Sequence, residues 1–139
     1  MASRREFIQA GIAAAFLPAL VSAHEISRQP IFKPQSFYKV IFDQRFPASV
    51  AFAREMHQLG TPIHAMEGDI TDLWFHDLHA AWKKQPVAIA GLTAHGPLFC
   101  LERLAWDHGM RVVFREEHSV QVDSEPLYSW IIAPKQEQL

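Results

Sequence analysis

The chain has 139 residues, with 13 Lys and Arg against 15 Asp and Glu, eight His, one Cys and a net charge of −2. That length suits one domain with a core large enough to need no staples, and the lone Cys100 excludes an internal disulfide. With no basic run and no positive excess, composition argues against nucleic acid and against a polyanionic membrane surface as partners.

The first 23 residues read MASRREFIQAGIAAAFLPALVSA. Arg4 and Arg5 precede an Ala- and Gly-rich apolar stretch, Ala10 to Leu20, too short to span a hydrocarbon core of about 30 Å. Val21-Ser22-Ala23 supplies the small residues of a signal-peptidase site. No charge lies between Phe7 and Ala23, so the stretch has no polar face for a packed amphipathic helix. Ser3-Arg4-Arg5-Glu6-Phe7-Ile8-Gln9 resembles the twin-arginine export signal, Ser/Thr-Arg-Arg-x-Phe-Leu-Lys, with Ile8 for Leu and Gln9 for Lys.

The resemblance implies export of a folded protein into a bacterial periplasm. The twin-arginine translocon is then the partner during export, cleavage follows Ala23, and no stable membrane insertion remains. Passengers of this route often carry a cofactor or travel with a partner that does, so a larger periplasmic enzyme subunit is the expected companion; the sequence names no cofactor. The signal takes two of the 13 basic and one of the 15 acidic residues, leaving a net charge of −3. All eight histidines lie beyond it, which raises the prospect of metal or proton chemistry. The expected organisation is a signal at 1–23, an extended lead-in at 24–36, an α/β domain at 37–134 and a polar tail at 135–139.

Pro30 and Pro34 make the lead-in aperiodic. Phe37 to Phe42 is aromatic and β-branched and reads as a first strand. Pro47 and Gly60 bracket a helix with Val50, Ala53, Met56 and Leu59 on one face. Pro62 to Met66 is a short second strand. Asp69 or Thr71 caps a second helix with Ile70, Trp74, Leu78 and Ala81/Trp82 along it, ending before Pro86. Val87 to Ala90 is a continuous apolar third strand, and Gly91 to Gly96 reads as a turn. A third helix runs from Pro97 to Gly109, a fourth strand from Met110 to Phe114, and a turn at Asp123 to Pro126 leads to a fifth strand, Leu127 to Ile132. The alternation predicts a single three-layer α/β domain: a mainly parallel sheet of about five strands, helices on both faces, order 2-1-3-4-5 and the last strand an antiparallel edge.

In such sheets ligands bind beyond the carboxyl ends of the strands, where the order reverses. That rule brings Asp43 and Arg45 near Thr93 and His95, with Arg115 and His118 farther along the rim. The GLTAHGP stretch offers backbone N–H groups and a helix N-terminus to an anion. Thr93 and His95 would add donors, and Arg45 or Arg115 a bidentate clamp. The plainer alternative is an ordinary βα loop with a capping Thr. His95 with Asp43, or His118 with Glu117, would form a general base with its orienter.

Asp72, His76 and His79 fall on one stripe of a regular helix and would present a carboxylate and two imidazoles to a metal, although Lys83 on that stripe points to a solvated face. His24 becomes the first residue after cleavage, a copper chelator by type, in a fold unlike those that use one. Cys100 is expected to be buried. Trp82 and Trp106 are the aromatic residues to examine for a docking face.

The favoured expectation is an exported accessory or small-anion-binding module associated with a periplasmic redox enzyme. The alternatives are a small isomerase or hydrolase using His95 or His118, and a metal-binding protein.

Overall fold

The computed structural model describes residues 22–119 and 125–135, the side chain of Gln35 excepted. Arg4, Arg5, Asp123, Ser124 and the tail from Gln136 lie outside the described residues. Helix α1 (Ala23–Ser27) and a 3₁₀ turn (Pro34–Ser36) precede the sheet. Then come β1 (Lys39–Asp43), α2 (Pro47–Gln58), β2 (Ile63–Met66), a helical run α3 over 71–84, β3 (Ile89–Thr93), α4 (His95–Trp106), β4 (Met110–His118) and β5 (Leu127–Pro134).

The expected extended lead-in is corrected by α1. Ser22 Oγ accepts from the Glu25 N–H at 3.2 Å, and Glu25 Oε1 accepts from the Ser22 N–H at 3.1 Å. This capping box starts the helix, and Ala23 and Ile26 bury against the core.

One mixed sheet has the order β2-β1-β3-β5-β4. β1 pairs in parallel with β2 and β3, and β5 runs antiparallel to both β3 and β4. The expected order therefore holds for its first three strands and fails for the last two: β5 is interior and β4 is the edge. Burial explains the exchange. Trp130, Ile131 and Ile132 of β5 are all buried, so both faces of that strand need cover, whereas Arg111, Arg115, Glu116 and Glu117 of β4 are exposed. A charged strand is suited to an edge.

Two further boundaries move. Gly91, Leu92 and Thr93 belong to β3 rather than to a turn, and Arg115 to His118 belong to β4, whose pairing shifts between Val112 and Phe114.

Alternation along the strands builds two clusters. Val40, Ala90, Leu92, Leu127 and Ile131 pack with Ile26, Phe32, Phe52 and Met56. Ile41, Ile89, Trp130 and Ile132 pack with Leu73, Leu78, Trp82, Leu98 and Leu101. Thus α1 and α2 serve one cluster, α3 and α4 the other. Pro47 opens α2, and Gly60 follows its end at a φ of 98°.

The helix α3 is not regular. It passes from α (Thr71–Leu73) through one π turn (Trp74–Leu78) back to α (His79–Lys84). Leu73 and Leu78, five residues apart, would diverge on a regular helix. The wider turn brings both into the core cluster that also holds Trp82.

Candidate functional site

The order reverses between β1 and β3, so the expected crevice lies at their carboxyl ends. Register sets Phe42 beside Leu92 there. Ser49 Oγ fastens the two strands, accepting from the Asp43 N–H at 2.8 Å and donating to the Leu92 carbonyl. Asp43 is fully buried, and Arg45 caps it: Nε to Oδ1 at 2.9 Å, Nη2 to Oδ2 at 2.6 Å, and the Arg45 backbone N–H to Oδ1 at 3.0 Å. Those bonds push the guanidinium pKa further up against its partial desolvation, and Glu125 and Glu67 add to the rise. Gly68, at a φ of 84°, leaves the space the guanidinium fills, since a Cβ there would lie 2.7 Å from Arg45 Nη2. The fork of Arg45 is thus committed to Asp43 inside an acidic fringe.

Thr93 is buried with its hydroxyl fully engaged, donating to the Ala94 carbonyl at 2.9 Å and accepting from Trp130 Nε1 at 3.0 Å. His95, the first residue of α4, is exposed, its ring 6.0 Å from Phe99 and 5.8 Å from Tyr128. Among the described residues no side chain caps α4, and none lies within 4 Å of a Cβ placed on Gly96. Among the described residues, the N-terminus of α4 and His95 are what this rim offers a ligand.

Arg115 is not at the rim. Its Nη2 donates to Glu102 Oε1 at 2.8 Å and ties β4 to α4. His118 is buried, with Nε2 2.8 Å from Ser129 Oγ. Desolvation pushes its pKa down, with Glu116 opposing. The neighbouring carboxylate is Glu116, 4.0 Å away, rather than Glu117, because residues two apart share a strand face. With both Asp43 oxygens held by Arg45, neither expected pairing of base and orienter is assembled.

The stripe of Asp72, His76 and His79 is divided by the π turn. Asp72 Oδ1 lies 3.9 Å from His76 Nε2, both exposed, while the His79 ring packs 5.2 Å from Trp74 and 6.4 Å from His108. Among the described residues no three His, Cys, Asp or Glu side chains converge to hold a metal. His24 contacts Glu55, its Nδ1 3.1 Å from Oε1. Ala23, expected to precede the cleavage point, is the buried first residue of α1.

Cys100, expected to be buried, is exposed on α4. Trp82 is buried, its Nε1 donating to the Val87 carbonyl at 3.0 Å. Trp106 is 45% exposed, and Phe75 (67%) and Phe99 (46%) join it as large exposed apolar side chains on α3 and α4. The Arg103 guanidinium lies 4.9 Å from the Trp106 ring and 5.7 Å from that of Phe99. Helical spacing of Phe99, Arg103 and Trp106 was the available signal for this stripe.

A second group that sequence reasoning missed is Tyr38, Lys39 and Asp77, where both donors meet the one carboxylate. A separation of 39 residues and an irregular turn left no local signal for it.

Among the described residues no helix is long and apolar enough to cross a membrane. No family model, curated protein or solved structure matches the chain.

Proposed function

We propose that this chain is an exported periplasmic accessory module that docks, without catalysis of its own, on a larger redox enzyme subunit. The observation that carries the reading is the face formed by Phe75, Phe99 and Trp106 around Arg103. Beside it a groove of about 460 Å³ runs between α3 and α4, lined by Ile70, Trp74, Phe75, Phe99 and Leu104. Aromatic residues around an arginine are the usual composition of an interface centre. The partner that fits is an apolar ridge carrying a carboxylate for Arg103. The resemblance of Arg4-Arg5 to a twin-arginine signal supplies the route, and the two separate core clusters support a three-layer domain able to fold before export.

The test is native mass spectrometry of gently released periplasm. Wild-type protein should run within a larger complex, and Phe99→Ser with Arg103→Glu should release it as a monomer. A wild-type monomer would overturn the docking reading. Undiminished export after Arg4-Arg5→Lys-Lys would overturn the route.

A second reading rests on the start of α4, which no described side chain caps or covers at Gly96, and on exposed His95: a seat for a small anion. Acetate should shift the amide resonances of His95 and Gly96, and His95→Ala should diminish the shift; an unchanged shift sinks this reading.

A further inference from the structure

The amino-terminal rim of the sheet carries a polar network that neither reading uses. Lys39 opens β1, Tyr38 precedes it, and Asp77 reaches both from the π turn. Tyr38 Oη donates to Asp77 Oδ1 at 2.6 Å, and Lys39 Nζ donates to Oδ2. Each carboxylate oxygen therefore holds one strong donor, and the Asp77 side chain, 15% exposed, is fixed in a single orientation. Burial works to raise its pKa, but the bonds from Lys39 and Tyr38 outweigh burial and keep it below the usual carboxylate range.

The network ends in a cleft of about 440 Å³ between Tyr38 and the second half of α3. Ala80, Ala81 and Val87 give the cleft an apolar floor beside the Tyr38 ring, and His76, Lys84 and Gln85 also line it. The chemistry of each end is defined. The Tyr38 proton is committed to Asp77, so the hydroxyl offers its lone pairs and accepts from a ligand donor. Lys39 and Asp77 cancel one another, which among the described residues leaves the Lys84 ammonium as the unbalanced charge of the cleft. A ligand that satisfies the cleft has an apolar body, a hydrogen-bond donor for Tyr38 and an anionic group for Lys84.

We propose that this cleft binds a small apolar hydroxycarboxylate, with its hydroxyl on Tyr38 Oη and its carboxylate on Lys84. Asp77 is the positioning residue that orients Tyr38, and the π turn supplies the azimuth that brings Asp77 there. A regular helix would rotate Asp77 away from β1, so the irregular turn serves the cleft as well as the core.

The experiment is an amide-resonance titration of the full chain with 4-hydroxybenzoate, benzoate and tyramine. Saturable shifts with 4-hydroxybenzoate should centre on Tyr38, Ala80, Ala81 and Gln85. Benzoate, without the donor, should bind about fivefold more weakly, and Tyr38→Phe should remove that difference. Lys84→Ala, an exposed change that leaves the fold intact, should weaken 4-hydroxybenzoate about tenfold. Tyramine, bearing the opposite charge, should give no saturable shift.

Absence of saturable shifts, shifts centred on His95 and Gly96, or Lys84→Ala binding equal to wild type would each overturn the proposal. Phe99→Ser should leave the titration unchanged, which separates this cleft from the docking face.

Discussion

Replacing Gly91 by alanine should be among the most damaging single changes in the core, although it adds one methyl group. A Cβ at position 91 would lie 2.5 Å from Trp130 Cζ2 and 2.7 Å from the Ile41 carbonyl oxygen. Ordinary contact begins at 3.4 Å, so the indole would have to retreat by about 0.9 Å. Trp130 has no free path: its Nε1 is bonded to Thr93 and the side chain is fully buried. The Ile41 carbonyl belongs to the β1–β3 pairing and resists as backbone. Overpacking of this kind costs about 3 kcal/mol. For a domain of this size that lowers the melting temperature by about 10 °C. Thermal unfolding followed by far-ultraviolet circular dichroism measures it. Trp130→Phe removes the atoms that clash, so in the Gly91→Ala background it should cost at least about 1 kcal/mol less than it costs in the wild type. A Gly91→Ala melting temperature equal to wild type, or strictly additive effects, would refute the close-approach argument.

Arg45→Ala should destabilise the fold by about 2 kcal/mol, because it strips both guanidinium bonds from buried Asp43 while admitting water to a site where Arg45 is itself 47% exposed; an unchanged urea midpoint would contradict this. Burial depresses the pKa of His118 and of His64, so below the ordinary imidazole value of about 6.5 the unfolded chain takes up protons that the folded chain refuses. Stability present above that pH should therefore fall on acidification towards the depressed folded values, and His118→Gln should flatten the profile; parallel profiles would remove His118 from the account. Glu55 accepts from Ser27 Oγ at 2.7 Å and contacts His24, so Glu55→Ala should speed amide exchange at Ile26 and Arg28 about tenfold by loosening α1, and unaltered exchange would deny the anchor.

What could be read from the sequence was local. Pro47 and Gly60 bracket α2 because a missing N–H and a positive φ are properties of single residues. The capping box at Ser22 and Glu25 is equally local, but Ser22 falls within the stretch that reads as a cleavage site and the residues after it read as extended, so α1 was not expected. The place of β5 was not legible, because it depends on Trp130 seating over Gly91 from 39 positions away. Gly91 looked like a turn residue for the same reason: a strand glycine that makes room for an indole and one that turns the chain are the same letter.

At the site, the rule for parallel sheets found the Asp43–Arg45 end of β1, but it could not reveal that each residue satisfies the other. The divided fate of His76 and His79 follows from one extra residue in a helical turn, which shifts every azimuth after it.

The interior place of β5 also sets an order of events. Until Leu127 to Pro134 have left the ribosome, β3 has one bare flank, β4 has no neighbour, and Trp130 is missing from the cluster packed by α3 and α4. The nascent domain cannot close its core early, and chains cut short before Leu127 leave β3 as a bare edge and β4 without a partner rather than a slightly smaller fold. Under the proposed export of folded protein, the last strand acts as a completeness check: a translocon that rejects unfolded passengers would reject every chain whose final segment had not been made.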